Sequence, residues 1–326
     1  MSTGAGPQRA LEEDRGRLGG DPAPVSEHVA LQRIVVRMLF DPGLVESLYR
    51  DPAPILTPLG ISERLQAQLI ANDRRLWQAD RLRRRRALNV LMEEFKVSTA
   101  LALDESRRLG TLTDYFSSPE FHAAVQGRGY MALAFAAYLR RLIRDGVLIR
   151  AAARSVLALE EGMAWSRRAR REAARGRDPG VAATAGRAAG RCWLTTPGVR
   201  SLTVMDEIFE LAGRVEERLF ELSLVPALAL SDDPQRLTGL PEAGGATRAL
   251  LLEPGEGADV EVTTIEADYG ALIAAAEGGL DDAGLAAAVA PLGVDRARAR
   301  EMAKALRKAG VLRLVRVEPD GRLRTL

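Results

Sequence analysis

The chain has 326 residues and a mass of 35.3 kDa, so at about 100–200 residues per domain two folding units are expected. Hydrophobic residues make up 47% and charged residues 28%, with a mean hydropathy of −0.08, which excludes a disordered polymer and an apolar membrane span. The 46 cations stand against 44 acids, a formal charge of +2, so no global field seeks nucleic acid, and nucleic acid is not an expected partner.

The scarce residue types narrow the chemistry further. Cys192 is the single cysteine, which permits no intrachain disulfide and fits a reducing, cytoplasmic setting. His28 and His122 are the only imidazoles, too few for a three-histidine metal site. No nucleophile elbow, phosphate-binding loop or dinucleotide fingerprint occurs, so neither a catalytic residue nor a metal ligand is assigned. His122 and Cys192 are read as structural residues. Met1–Gly20 has no apolar run of signal-peptide type.

Residues 1–24, rich in Gly, Pro, Arg and Glu, are expected to form a disordered tail. A helical domain is expected over 25–175. Leu31, Ile34, Val35 and Met38 fall at i, i+3, i+4 and i+7, one apolar stripe. Asp41-Pro42, Asp51-Pro52 and Ser118-Pro119 each place a capping oxygen before a proline suited to the first helical position. Phe135, Tyr138, Leu139 and Leu142 continue the pattern, and Val156, Leu159 and Met163 carry a further helix into the basic stretch Arg167–Arg171. Gly- and Ala-rich sequence over 176–190 is the expected linker.

Over 191–326 the period changes. Strands are expected at Val199–Val204, Arg248–Glu253 and Val260–Ile265, with a helix at Met205–Leu222 and a loop from Pro226 to Gly245. Three short helices follow, with Asp281 and Asp295 as N-caps of the second and third and Gly310 ending the third. Leu312–Val317 and Arg322–Leu326, joined by Glu318-Pro319-Asp320-Gly321, read as a β-hairpin. The fold class is therefore mostly α with an α+β C-terminal part: a helical domain followed by a winged-helix-like one.

Two charge features remain. The paired carboxylates Glu93-Glu94, Glu160-Glu161, Glu216-Glu217 and Asp281-Asp282 point about 100° apart on a helix, so solvated faces and caps account for them. Arg83, Arg84, Arg85 and Arg86 wrap a helix circumference; an ion-paired helix, docking onto an acidic protein and nucleic acid are the competing readings. The winged helix itself admits two uses. Its third helix offers Arg296, Arg298 and Arg300 to DNA, as in a transcriptional regulator, whereas an open sheet edge can accept an extended peptide as an added strand.

Val260–Leu314 resembles the PqqD-like peptide-recognition domains, through a strand, a first helix ending at Gly278-Gly279, an acid-capped second helix, and a third ending in an L-x-x-x-G-[VL]-L element, here Leu306 to Leu312. Leu31–Ser62, Asp73–Phe95 and Tyr115–His122 look like the MbnC-type partner subunits, above all in the Asp-Pro helix starts ten residues apart followed by Leu59-Gly60-Ile61. Those subunits accompany multinuclear non-haem iron oxidative enzymes in peptide natural-product pathways. The resemblance implies a non-catalytic partner that binds the leader of a ribosomally made precursor peptide, with iron in the partner enzyme, no cofactor in this chain, and a heterodimer as the assembly. It further implies main-chain pairing of the leader at Val260, Val262 and Thr264, a groove at Met302, Leu306 and Arg307, and enzyme docking by the helical domain, Arg83–Arg86 included.

Overall fold

A computed structural model describes residues 26–78, 82–127, 129–178, 180–181, 184, 190–221, 237, 239–241, 245–255, 259–318 and 322–326. The expected tail, most of the expected linker and most of the loop from Pro226 to Gly245 lie outside the described residues. The molecule is mostly helical, with two small antiparallel sheets in its C-terminal part. No helix among the described residues is long and apolar enough to cross a membrane.

The chain divides into two compact units, Met1–Arg81 and Leu82–Leu326. In the first, α1 (Glu27–Met38), α2 (Pro42–Arg50), α3 (Ala53–Leu56) and α4 (Glu63–Ile70) enclose a core that includes Ile34, Met38, Leu48, Leu56 and Leu65. The Asp41 carboxylate accepts from Leu44 N and starts α2. Asp51 makes no such cap: α3 begins two residues later, after Pro52, because Asp51 is the extended residue that ends α2.

The second unit opens with α5 (Arg83–Glu94), α6 (Lys96–Ser106), α7 (Gly110–Thr113), α8 (Pro119–Gly127), α9 (Met131–Arg144) and α10 (Ala153–Ala174). Ser118 Oγ accepts from Phe121 N and caps α8 as its sequence demands. Tyr115 is the hub of this region. Fully buried, it meets Phe121 and Phe135 edge-on at centroid distances of 5.4 and 5.0 Å. Such pairs contribute about 0.5–1.5 kcal/mol beyond the area they bury.

The strands follow: β1 (Gly190–Thr195), β2 (Arg200–Met205), then α11 (Ile208–Glu221), β3 (Thr247–Pro254) and β4 (Val260–Ile265). The helices α12 (Ala267–Ala276), α13 (Asp282–Val289) and α14 (Arg296–Lys308) precede the hairpin β5 (Leu312–Val317) and β6 (Leu323–Thr325). Asp281 and Asp295 cap α13 and α14 by accepting from Gly284 N and Arg298 N. One sheet runs β2-β3-β4 and the other β1-β5-β6, all antiparallel.

The first of these sheets is covered on both faces. Helix α10 packs on β2 and β3 from one side and α12 from the other. Glycines set both approaches. A Cβ on Gly162 of α10 would lie 2.6 Å from Leu202 Cδ1 and from Leu252 Cδ1, and one on Gly270 of α12 would lie 2.8 Å from Ala249 Cβ. Because α10 lies on this sheet, the expected linker falls inside the second unit, not between two units. The α12–α14 helices and β5 share a core of Leu272, Leu285, Met302 and Leu312. Into it reaches Trp193 of β1, whose main chain bonds Leu280 in both directions at 2.6 and 2.9 Å.

Candidate functional site

Strand β4 is the last strand of its sheet, and its register shows which of its groups are spent. Residues pair so that Leu252 faces Val262 and Glu253 faces Glu261. Gly255 N donates to Asp259 O at 3.1 Å one step beyond the ladder. In an antiparallel pair, hydrogen-bonded and non-bonded positions alternate. The bonded positions are therefore Asp259, Glu261, Thr263 and Ile265. Val260, Val262 and Thr264 turn their N–H and C=O groups away from β3, toward an edge on which no strand lies among the described residues.

The side chains alternate with the main chain. Leu252 touches α10 at Gly162, so Val262 opposite it faces the α10 side, as do Val260 and Thr264. Ile265 takes the other side and packs into the α12–α14 core.

Beside Val260 lies a cleft of about 930 Å³ within the second unit. Helix α10 forms its floor from Val156 to Ala174, which at 1.5 Å per residue is about 27 Å of helix. Val156, Leu159 and Met163 of α10 line the cleft together with Leu91, Met131 and Ile208, and so do the polar Lys96, Glu160 and Glu216. Its lower half is basic, with Arg167, Arg170 and Arg171, and it ends at Pro254, Asp259 and Val260.

Two buried polar groups stand in the α10 floor. Glu160 is 5% exposed, and its carboxylate accepts from Val97 N at 2.7 Å and from Ser98 N at 3.0 Å, capping the first turn of α6 from a distant helix. Burial pushes its pKa up to about 7 against the pull of the Ser98 and Val97 bonds. Ser166, 1% exposed, has an Oγ with no hydrogen-bond partner among the described residues, unusual for a buried hydroxyl. At the basic end Arg167 pairs with Glu94 at 3.1 Å. Arg171 bonds the Tyr130 hydroxyl and lies over its ring, and Arg170 bonds Gly255 O. Burial, then the neighbouring Glu94, hold the Tyr130 pKa above its ordinary value.

The structure brings only part of the expected site together. Val260, Val262 and Thr264 share the β4 edge. Met302 and Leu306 are buried at 1% and 8% exposure in the α12–α14 core, and Arg307 donates to Leu326 O. These three lie on α14, which packs on β5 of the other sheet. Arg83–Arg86 form the first turn of α5, where Arg84 donates to Thr113 O and lies 5.5 Å over the Phe116 ring. Arg85 is exposed.

Glu160 overturns an expectation. It is not on a solvated face, because α10 is covered on that side by α6 and the pair splits: Glu161 turns outward to Arg140 while Glu160 turns in. A signal was present. Val156, Leu159, Glu160 and Met163 occupy i, i+3, i+4 and i+7, so this carboxyl stands in the apolar stripe itself.

Among the described residues no group of three His, Cys, Asp or Glu is placed to hold a metal ion. Compared with known proteins, the chain matches no family model, no curated protein and no solved structure.

Proposed function

We propose that this chain is a non-catalytic recognition subunit: it binds the leader of a ribosomally made precursor peptide and presents it to an iron-dependent oxidative enzyme. The leader adds as a strand to the β4 edge, and the helical region docks the enzyme, Arg83–Arg86 contributing to that contact. The observation that carries this reading is the row of outward main-chain groups at Val260, Val262 and Thr264. Strand addition needs such a row, and here it flanks a cleft able to take side chains. We read α12–α14 with the β5–β6 hairpin as a winged-helix-like unit, supported by the order of three helices and a hairpin and by the Leu280 bridge between the first two helices.

An added strand alternates its side chains, so every second one faces the α10 side and the residue beside Val260 enters the cleft. Tethering the leader raises the local concentration of the rest of the peptide at the partner's active site, to about millimolar with a short spacer.

The test is a pair of proline variants. Val262→Pro removes a donor that faces the open edge, so leader affinity falls by about tenfold while the fold persists. Thr263→Pro removes a donor bonded within the sheet and lowers stability instead. The readouts are fluorescence anisotropy with the labelled leader of a precursor encoded beside this chain, and thermal unfolding of each variant. Unchanged leader affinity in Val262→Pro rejects the edge.

A further inference from the structure

The second sheet carries a charge arrangement that the peptide reading does not use. Strand register places Arg191 of β1 opposite Arg316 of β5, and Arg316 opposite Arg324 of β6. Directly paired residues project from the same face, so three guanidinium groups stand in one row across three strands, about 4.8 Å apart at the backbone. All three residues are exposed, and none has an ion-pair partner among the described residues. The row lies on the helix-covered face: Trp193, two residues from Arg191, and Leu314, two from Arg316, both join the core of α12–α14. A fourth cation borders it. Arg307 of α14 donates to Leu326 O, and Leu326 N donates to Leu314 O at 3.0 Å.

Like charges set directly opposite on adjacent strands destabilise a sheet. The rest of the chain ties many of its arginines to acids, as Arg313 is tied to Asp178 on the opposite face of β5. Three arginines in register, with no ion-pair partner among the described residues, are thus a local cost that an anionic partner would relieve. The guanidinium fork pairs with a carboxylate through two parallel hydrogen bonds, and adjacent forks on neighbouring strands match closely spaced carboxylates.

We infer that the Arg191–Arg316–Arg324 row is a docking surface for an acidic polypeptide segment, one presenting several carboxylates within about 10 Å. The scale of the patch decides between anions. A protein that neutralises about 6–10 nucleic-acid phosphates needs more cations than this row with Arg307 supplies, and the net charge of the chain is only +2.

The experiment uses the full chain and fluorescence anisotropy with two probes at equal salt: labelled poly-L-glutamate and a labelled DNA duplex. The expected result is tighter binding of polyglutamate than of duplex. Polyglutamate affinity then falls by about tenfold or more when Arg191, Arg316 and Arg324 are all replaced by Ser. Removing the repulsion leaves the thermal midpoint of that variant equal or higher. Replacing Arg296 and Arg298, exposed cations of α14 away from the row, leaves polyglutamate affinity within about twofold. Polyglutamate affinity unchanged in the triple variant overturns the inference, as does an equal loss on replacing Arg296 and Arg298. A lower thermal midpoint assigns the arginines to the fold, and tighter duplex binding assigns the surface to nucleic acid. Either of these also overturns it.

Discussion

Glu160 couples the α10 floor of the cleft to the start of α6 through one carboxyl group. Its folded pKa of about 7 stands above the ordinary value of 4.5. The sign follows from linkage: the contribution to stability is fully present below about pH 4.5 and is lost as pH rises through about 7. A shift of this size corresponds to roughly 3 kcal/mol. Glu160→Gln cannot ionise, and its amide nitrogen cannot accept the second backbone N–H, so the variant starts less stable at pH 5 by about 1–3 kcal/mol. Urea unfolding at pH 5 and pH 8 separates the two effects. The gap between wild type and variant narrows at pH 8, and a gap that does not change with pH contradicts the assignment. Ser166 is the neighbouring case, a hydroxyl buried in the same floor without a partner among the described residues.

At the scale of elements, the decisive contact is α10 on β2 and β3, and it depends on Gly162. A side chain there meets Leu202 and Leu252 at once. Gly162→Val therefore lowers stability by about 1–3 kcal/mol through overpacking, read as a drop in thermal midpoint. An unchanged midpoint shows that the helix and sheet can separate freely, against the structure. Which elements were legible follows from how far their causes reach along the chain. The caps at Asp41, Ser118, Asp281 and Asp295 act within three residues, and each is found where its sequence places it. Strand β4 has the bounds that its alternation of Val260 and Val262 with Glu261 and Thr263 suggests. Strand β1 was not legible. Gly190–Thr195 has no alternation of its own, and its partner β5 lies more than a hundred residues on. Asp51 misled for a local reason, since it serves the end of α2 and not the start of α3.

At the scale of the whole molecule, the residues expected to share one groove lie at two different sheets, Val260, Val262 and Thr264 on β4 and Met302, Leu306 and Arg307 on α14 against β5. The resemblance to peptide-recognition domains implies a groove at Met302 and Leu306, whereas the periodicity that makes them apolar places them in the α12–α14 core. The β4 edge lies on the other sheet and has its own cleft. Which alternate set of β4 residues turns outward depends on register with β3, set through Gly255 and Asp259, and no pattern in β4 alone shows it. The arginine row is hidden in the same way: Arg191, Arg316 and Arg324 become neighbours only through pairing.

Residue-resolved amide hydrogen exchange on the full chain, with and without the leader peptide, reads this edge most directly. Without leader, the N–H groups of Glu261, Thr263 and Ile265 exchange slowly and those of Val260, Val262 and Thr264 exchange fast. Leader binding slows the second set and leaves the first as it was. A leader that binds while Val260, Val262 and Thr264 go on exchanging at their free rates contradicts recognition by strand addition at β4.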